Sequence, residues 1–462
     1  KGGDEALLRE IRENYKAFAE FWKDARDHRK KLMRYLCGQP WDEADMRARE
    51  DAGRPCISHD ELNQYVNQCV NAKRQNKSGI KIEPRGNGAN DKTAELRQDI
   101  ARTIEYRSQA QSIYLKAYQD EVEGAYGFCR VSRKYVNNDT DDQEIVIRPI
   151  PNPDSVLYDP SCKEPDWSDA QVVFVLEPMS REDFKREYPG EDITNFSTED
   201  TVAGNDWISE KTVLVAEYWK VVKTKRKSKA KSGREVFDKQ VIQYITNGIK
   251  ILETNPQIGD EIPIPAFIGM ERYVDSGSGP KRRLFALPSL ALDPQMSLAY
   301  FASQEAEEAG LTPKSPYMGY VGQFETDAEA WATASKIPHS MLQADPIVDA
   351  ATGTVLPLPQ RQQFTPNFQA YEVAKESARR AIQAAMGISP LPTGAQRQND
   401  KSGVALEKIQ AAQEVGSFHF ADGYDRAIAR VGRIIDSWMS ETYDAEGREL
   451  SVHLANDTRK QI

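Results

Sequence analysis

Histidine and cysteine are scarce in this 462-residue chain, and neither clusters. The five histidines, at 28, 59, 339, 419 and 453, stand alone, so their spacing assembles no zinc-type ligand set. His419, between Phe418 and Phe420 in a helical pattern, reads as structural. The five cysteines (37, 56, 69, 129 and 162) are odd in number and include no Cys-x-x-Cys pair. That disfavours a disulfide framework, and reduced, buried thiols are expected. No stretch approaches the roughly 18 apolar residues of a membrane span, and the opening residues do not read as a secretory signal. Gly-x-x-x-x-Gly-Lys-Ser/Thr, His-Glu-x-x-His and Gly-x-Ser-x-Gly are all missing. Residues 86–91 start like a dinucleotide fingerprint, but Asp91 occupies the third glycine position. Positive charge is in deficit too. The net charge of −10 disfavours a general electrostatic grip on nucleic acid, while remaining compatible with a surface that nucleic acid slides past. No catalytic residue, metal or cofactor is expected.

What is present is a protein with real cores, 39% hydrophobic and 29% charged, long enough for roughly two to four domains. Its organising stretch is 282–310. Asp293 suits a helix cap, Pro294 the first turn and Gly310 the position past the end. Leu298, Phe301 and Ala302 share one face of this helix, and Met296, Ala299 and Tyr300 the next. Glu305, Glu307 and Glu308 make its second half acidic. A helix of this kind needs neighbours on two sides. Strand-like sequence precedes it and helical sequence follows.

Ahead of that joint, Leu8, Ile11, Tyr15, Phe18, Trp22 and Ala25 alternate in steps of three and four, which predicts a helix over 6–36. Its stripe packs either on its own domain or against a neighbouring subunit. A charged loop at 47–55, a helix over 60–75, a strand at 80–84 and one long helix over 91–122 follow. From 127 the pattern is β, with strands at 128–136, 144–150 and 171–176. The acidic tip at 137–142 has oxygens that a cation could use. Without a glycine or distal glutamate to complete a calcium loop, it reads as a solvated turn. A short helix at 181–188 and strands at 213–222, 236–253 and 262–274 come next. Between the first two of these strands lie Lys223, Lys225, Arg226, Lys227, Lys229, Lys231 and Arg234, the sharpest charge feature of the chain. They form either a solvated hairpin tip or a basic finger offered to phosphates or an acidic partner. Residues 311–365 are rich in Pro, Gly and small residues. Helices are predicted at 367–387 and 401–443, the latter interrupted by Gly403, Gly416, Gly423 and Gly432, which suggests close contact or a kink. Residues 449–454 read as a strand with no partner downstream. From this, and from an opening Lys1 in place of Met, further chain is expected at both ends.

Several stretches in order resemble one family. They are Tyr35-Leu-Cys-Gly-Gln-Pro-Trp-Asp, Gly53-Arg-Pro-Cys-Ile-Ser, Leu62-Asn-Gln-Tyr-Val-Asn-Gln, Asn71-Ala-Lys-Arg-Gln-Asn-Lys and Ile80-Lys-Ile-Glu-Pro. Gly124-Ala-Tyr-Gly-Phe-Cys-Arg-Val, Pro153-Asp-Ser-Val-Leu-Tyr-Asp-Pro, Asp166-Trp-Ser-Asp-Ala, Ala216-Glu-Tyr-Trp and Asp400-Lys-Ser-Gly-Val-Ala-Leu continue the series. Together they resemble the portal proteins, the head–tail connectors of short-tailed bacteriophages. The resemblance implies an α+β, portal-type fold: an α/β wing (1–206), a β-rich clip (207–281), a stem helix (282–310), then a wing return with channel loop and long helix (311–443). Residues 444–462 would begin a C-terminal crown or barrel. No first stem helix is evident between 207 and 223. The resemblance also implies a non-enzymatic ring of twelve subunits at one capsid vertex of the virion, assembled in the host cytoplasm. Double-stranded DNA would pass through it without sequence specificity, and a terminase motor, a tail adaptor, and capsid and scaffold proteins would be partners, with no membrane. Phe18, Trp22, Met296, Leu298 and Phe301 are expected to pack between subunits, and the basic run 223–234 to dock partners. The alternatives are a phage nuclease whose acids converge only in three dimensions, or another virion structural or adaptor protein.

Overall fold

The computed structural model describes residues 2–76, 78–85, 90–190, 212–226, 236–275, 280–311, 315–361, 367–387, 403–443, 448–454 and 459–461. Along the chain come helices α1 (Gly2–Phe21), α2 (Lys23–Leu36), α3 (Glu43–Asp51), α4 (Asn63–Gln75), α5 (Asp91–Arg107) and α6 (Ala110–Gly124). Strands β1 (Tyr126–Tyr135), β2 (Gln143–Pro149), β3 (Val156–Tyr158) and β4 (Val172–Ser180) lead to α7 (Arg181–Glu187). Then follow β5 (Thr212–Arg226), β6 (Val236–Thr246), β7 (Ile251–Pro256), β8 (Ala266–Ile268), β9 (Met270–Asp275) and β10 (Pro280–Phe285). The remainder is α8 (Leu292–Leu311), β11 (Tyr317–Met318), α9 (Ala328–Thr333), β12 (Gln360–Arg361), α10 (Phe368–Met386), α11 (Gly403–Thr442), β13 (Ser451–His453) and β14 (Arg459–Gln461). The fold is α+β, and the chain divides into two compact units assembled from separated segments.

The first unit takes residues 1–33, 64–289 and 387–462. It holds an antiparallel sheet of order β2-β1-β8 and a second of order β3-β4-β5-β6-β7. The runs that form these strands are rich in Val, Ile, Tyr and Phe, which suit a pleated, half-buried surface. The apolar stripe of α1 meets the second sheet. Tyr15 and Phe18 both lie edge-on to Phe174 of β4, at 5.9 and 5.8 Å between ring centres. Helix α11 meets the first sheet with Phe420, Tyr424, Ala427, Ile428, Val431, Ile435 and Trp438, all buried at helical spacing. The approach is close at Gly423, where an added Cβ would sit 2.4 Å from both Glu121 Oε1 and the Ile268 carbonyl. Gly432 likewise makes room for Ile80, so both glycines serve contact within an unbroken helix. Gly403 and Gly416 are not among the residues whose surroundings are described.

Two buried arginines tie these layers together. Arg430 on α11 donates to Tyr158 Oη at 3.0 Å, the Asp166 carbonyl at 2.9 Å and the Ile262 carbonyl at 3.1 Å. Glu261 lies 3.6 Å from its Nε. Arg29 on α2 donates to the Asp120 and Tyr126 carbonyls at 3.0 and 2.9 Å. It passes over Gly124, where a Cβ would stand only 2.0 Å from its Nη1.

The second unit takes residues 34–63 and 290–386. Helices α8 and α10 run antiparallel in it, since Glu305 meets Lys375 while Glu308 meets Tyr371. Segment 57–59 is pinned along α8. The Ile57 amide donates to Ser303 Oγ at 2.8 Å, and Gln295 donates to the His59 carbonyl.

Several sequence expectations are corrected. The single helix over 91–122 breaks at Gln109, which is left-handed at φ 53°, and Ser108 Oγ at the break accepts the Ile147 amide of β2. Residues 47–55 are not all loop, because α3 reaches Asp51. Residues 80–84 form no strand and join no ladder among the described residues. The strand near 451 does have a downstream partner: β13 pairs with β14. Helix α8 starts at Leu292, one residue before the expected cap, because a 3-10 turn over Leu287–Leu290 leads almost directly into it. Cys69, Cys129 and Cys162 are buried thiols, but Cys37 is exposed and Cys56 half-buried. The wing–clip boundary drawn at 206/207 falls inside one sheet, since β4 pairs with β5 along nine residues from Val172↔Lys220 to Ser180↔Thr212.

Glu121 on α6 is fully buried and neither carboxyl oxygen has a hydrogen-bond partner. Burial pushes its pKa well above the usual carboxylate range. Arg426 and Lys73 pull it down only in part, and Asp422 and Asp425 push it further up. Burial also raises Glu105 to about 7. Folding therefore retains protons that the unfolded chain releases above about pH 4. This contribution is complete below the unfolded pKa and declines as pH rises toward the folded values. Glu121→Gln should match the parent at pH 4 and gain on it steadily to pH 8 in thermal unfolding. Parallel pH curves for the two proteins would contradict this.

Candidate assembly and docking surfaces

Of the residues expected to pack between subunits, Phe18 and Trp22 turn out to be internal. Trp22 Nε1 donates to the Tyr158 carbonyl at 2.7 Å, and its ring lies 5.5 Å from that of Trp167. Phe18 is 9% exposed and Trp22 6%, so almost no ring surface remains for a neighbouring copy. The seam reading of this stripe gives way to the domain reading because the second sheet supplies Phe174 and Tyr158, and the β3–β4 connection Trp167, as its counterface.

On α8, Leu298 is fully buried, whereas Met296 and Phe301 are half-buried. Tyr300 is exposed beside Phe301, at 5.9 Å between rings. The partner helix required by this stretch is α10, which contributes Ala378, Ile382 and Met386 to the buried side of the unit. It does not come from 212–223, which is β5. The acidic half of α8 is satisfied within its own unit. Glu305 and Glu372 receive Lys375 Nζ at 2.5 and 2.7 Å, and Glu307 receives Arg54 Nε at 2.9 Å. Glu305, Glu307 and Lys375 are partly or largely buried, where opposite charges are screened less than at the surface, while Glu372 is exposed.

Between α8 and α10 lies a lobe, residues 315–361, that contains β11, α9 and β12. Ring contacts of Trp331 with Tyr317 and Phe324, at 5.1 and 5.2 Å, give it internal order. Yet its buried residues are only Ser315 and Gln323, both polar. Met318, Tyr320, Val321, Ile337, Met341, Val348, Val355 and Leu358 are all exposed, Val321 at 98% and Leu358 at 74%. Sequence reading missed this surface. The density of Val, Leu, Ile and Met in a Pro/Gly-rich stretch was its available signal.

In the basic run, Lys223, Lys225 and Arg226 are exposed at the far end of β5. Lys227, Lys229, Lys231 and Arg234 lie outside the described residues. β6 adds Lys239 opposite Lys223 and Phe237 opposite Lys225, two residues that the linear charge pattern did not single out. Among the described residues no group of three or more His, Cys, Asp or Glu could hold a metal ion, and no helix is long and apolar enough to cross a membrane.

The surfaces described are those of an assembly protein, and comparison with known proteins makes the class specific. The profile of the phage P22-like portal protein family matches residues 12–462, and the chain belongs to that family, a structural and non-enzymatic one of phage capsids. It is similar to the portal protein of Acyrthosiphon pisum secondary endosymbiont phage 1, with 22% identity over 446 residues. The match covers 87% of this chain and 60% of that protein, so the chain spans under two thirds of the relative's length.

The packing on α8 orders two substitutions. Leu298→Ala should cost about 2–5 kcal/mol, as for a fully buried leucine. Phe301→Ala should cost less, because that ring is only partly buried. Urea unfolding of the two variants tests the order, and a larger loss at Phe301 would contradict the packing described.

Proposed function

We propose that this chain is the subunit of a portal ring, probing no chemistry of its own, that sits at one capsid vertex of the virion. Through it double-stranded DNA passes without sequence specificity during packaging and ejection. Twelve copies are the number the family resemblance implies. The ring docks a terminase motor and later a tail adaptor, and it contacts capsid and scaffold proteins; assembly takes place in the host cytoplasm. In this reading the first unit is the wing, and the clip strands of 207–281 are rooted in the wing's sheet. The helices α8 and α10 are the stem, and α11 runs on toward a crown. The net charge of −10 supports passage over retention, because a surface that neutralised many phosphates would hold DNA too tightly to release it.

The observation that carries the reading is the lobe at 315–361. A segment with ordered turns and strands but no buried apolar side chain has little hydrophobic stabilisation of its own. Its eight exposed apolar residues exceed what isolated surface positions require. In a chain from a ring-forming family, the covering surface is a second copy. A closed ring repeats one head-to-tail contact, so each lobe meets a complementary surface of the next copy.

Val321→Asp combined with Leu358→Asp is the test, because both side chains are too exposed for the change to disturb the monomer. Circular dichroism should be unaltered, while light scattering should show the rings replaced by single chains. Rings of normal mass from this variant would remove the lobe from the subunit interface.

A further inference from the structure

The strands β5 and β6 are longer than the sheet that holds them. β4 covers β5 only from Thr212 to Lys220, and β7 covers β6 only from Ile242 to Thr246. Val221 and Val241 are still bonded outward, the Val221 amide donating to the Gln171 carbonyl at 2.9 Å and the Gln257 amide to the Val241 carbonyl at 2.8 Å. Beyond them, residues 222–226 and 236–240 pair with each other alone among the described residues. The result is a two-stranded ribbon of five cross-strand pairs that leaves the sheet on a buried root, Val221 opposite Val241.

The two faces of this ribbon differ. On one, Thr224 stands opposite Asp238 and Arg226 lies 3.4 Å from Asp238, so opposite charges are matched. On the other, Lys223 stands directly opposite Lys239, and Lys225 stands opposite Phe237. Like charges placed opposite one another across two strands oppose pairing. Phe237 is 49% exposed beside them, which wastes an aromatic ring that could stabilise a core. Both features work against the ribbon standing alone. Both are relieved by one kind of partner, an anionic surface that carries an apolar side chain.

We infer that the face of the β5–β6 ribbon that carries Lys223 and Lys239, with Phe237 as its apolar anchor, docks an acidic protein surface. The inference rests on the docking role proposed above and specifies its contact. Duplex DNA is the poorer fit. Its bases are stacked and offer an exposed phenyl ring nothing to bury against, and its high charge density is opposed by the net −10 of the chain. The basic residues that continue in the sequence at 227, 229, 231 and 234 extend the attraction, but the docking face is defined by the ribbon itself.

Three fluorescent probes test this on the full chain: a polyglutamate peptide, the same peptide with a central leucine, and a DNA duplex. Polyglutamate should bind at low salt, and Lys223→Ser with Lys239→Ser should weaken it about tenfold, the difference fading as the Debye length shrinks. Phe237→Ser should remove only the extra affinity of the leucine-bearing peptide. Unchanged peptide binding in the double variant overturns the inference. So does preferential duplex binding that the same variant abolishes, which would make the face a nucleic-acid contact. Aggregation of the variant with peptide binding intact overturns it too, since the lysines would then only guard an open strand edge. Ring mass is measured on the same samples. Rings with no ribbon-dependent binding defeat the ribbon assignment alone, and a ringless parent defeats the portal reading instead.

Discussion

Everything in the first unit depends on the buried guanidinium of Arg430. A fully buried cation is tolerated only when its donors are used and its charge is met. Here the donors reach β3 through Tyr158, the following loop through Asp166, and the approach to β8 through Ile262, with Glu261 as counter-charge. Ile262 lies where the chain passes from the second sheet to the first, and Tyr158 and Asp166 belong to β3 and its connection to β4 within the second. An arginine on the last long helix thus fixes segments that lie more than 160 residues earlier. Its neighbour Arg433 pairs with Asp166 and reinforces the same point. The apolar stripe of α11 supplies burial, but the directional bonds of Arg430 set its position along and around its axis.

How much of this was legible in the sequence depends on how local each determinant is. The stripe from Ile11 to Trp22 follows from residue spacing, and burial of these side chains agrees with it. Most strands of the first unit were also readable, because β-branched runs bounded by turns carry their own signal. The break at Gln109 was not, since a left-handed residue there is held by the Ser108 contact to β2 and not by any glycine. Nor was the second unit. Residues 34–63 and 290–386 share no local pattern, and contacts such as Arg54–Glu307, Arg379–Glu61, Ser303–Ile57 and Gln295–His59 join them. The choice between wing and seam for Phe18 and Trp22 was open because a helix stripe says that it must be buried, not by what.

The two proposed contact surfaces follow from one physical principle applied to different elements. Natural sequences tend to satisfy each local preference, and departures mark where something else is bound. The lobe at 315–361 departs by exposing apolar side chains without a core of its own, and the β5–β6 ribbon departs by opposing like charges. Neither departure is needed to fold the rest of its unit. The first matches an apolar surface of the same kind, as a repeated subunit contact provides. The second matches a surface of opposite sign. On the proposed reading, assembly and docking fall on separate parts of the chain.

The central claim is that the chain works only as one member of a closed ring. Native mass spectrometry of the purified protein tests it most directly. The account predicts a single dominant species at an integer multiple of the 52.1 kDa chain mass, large enough to enclose a DNA-wide hole. A species at 52.1 kDa that persists as concentration rises would contradict it.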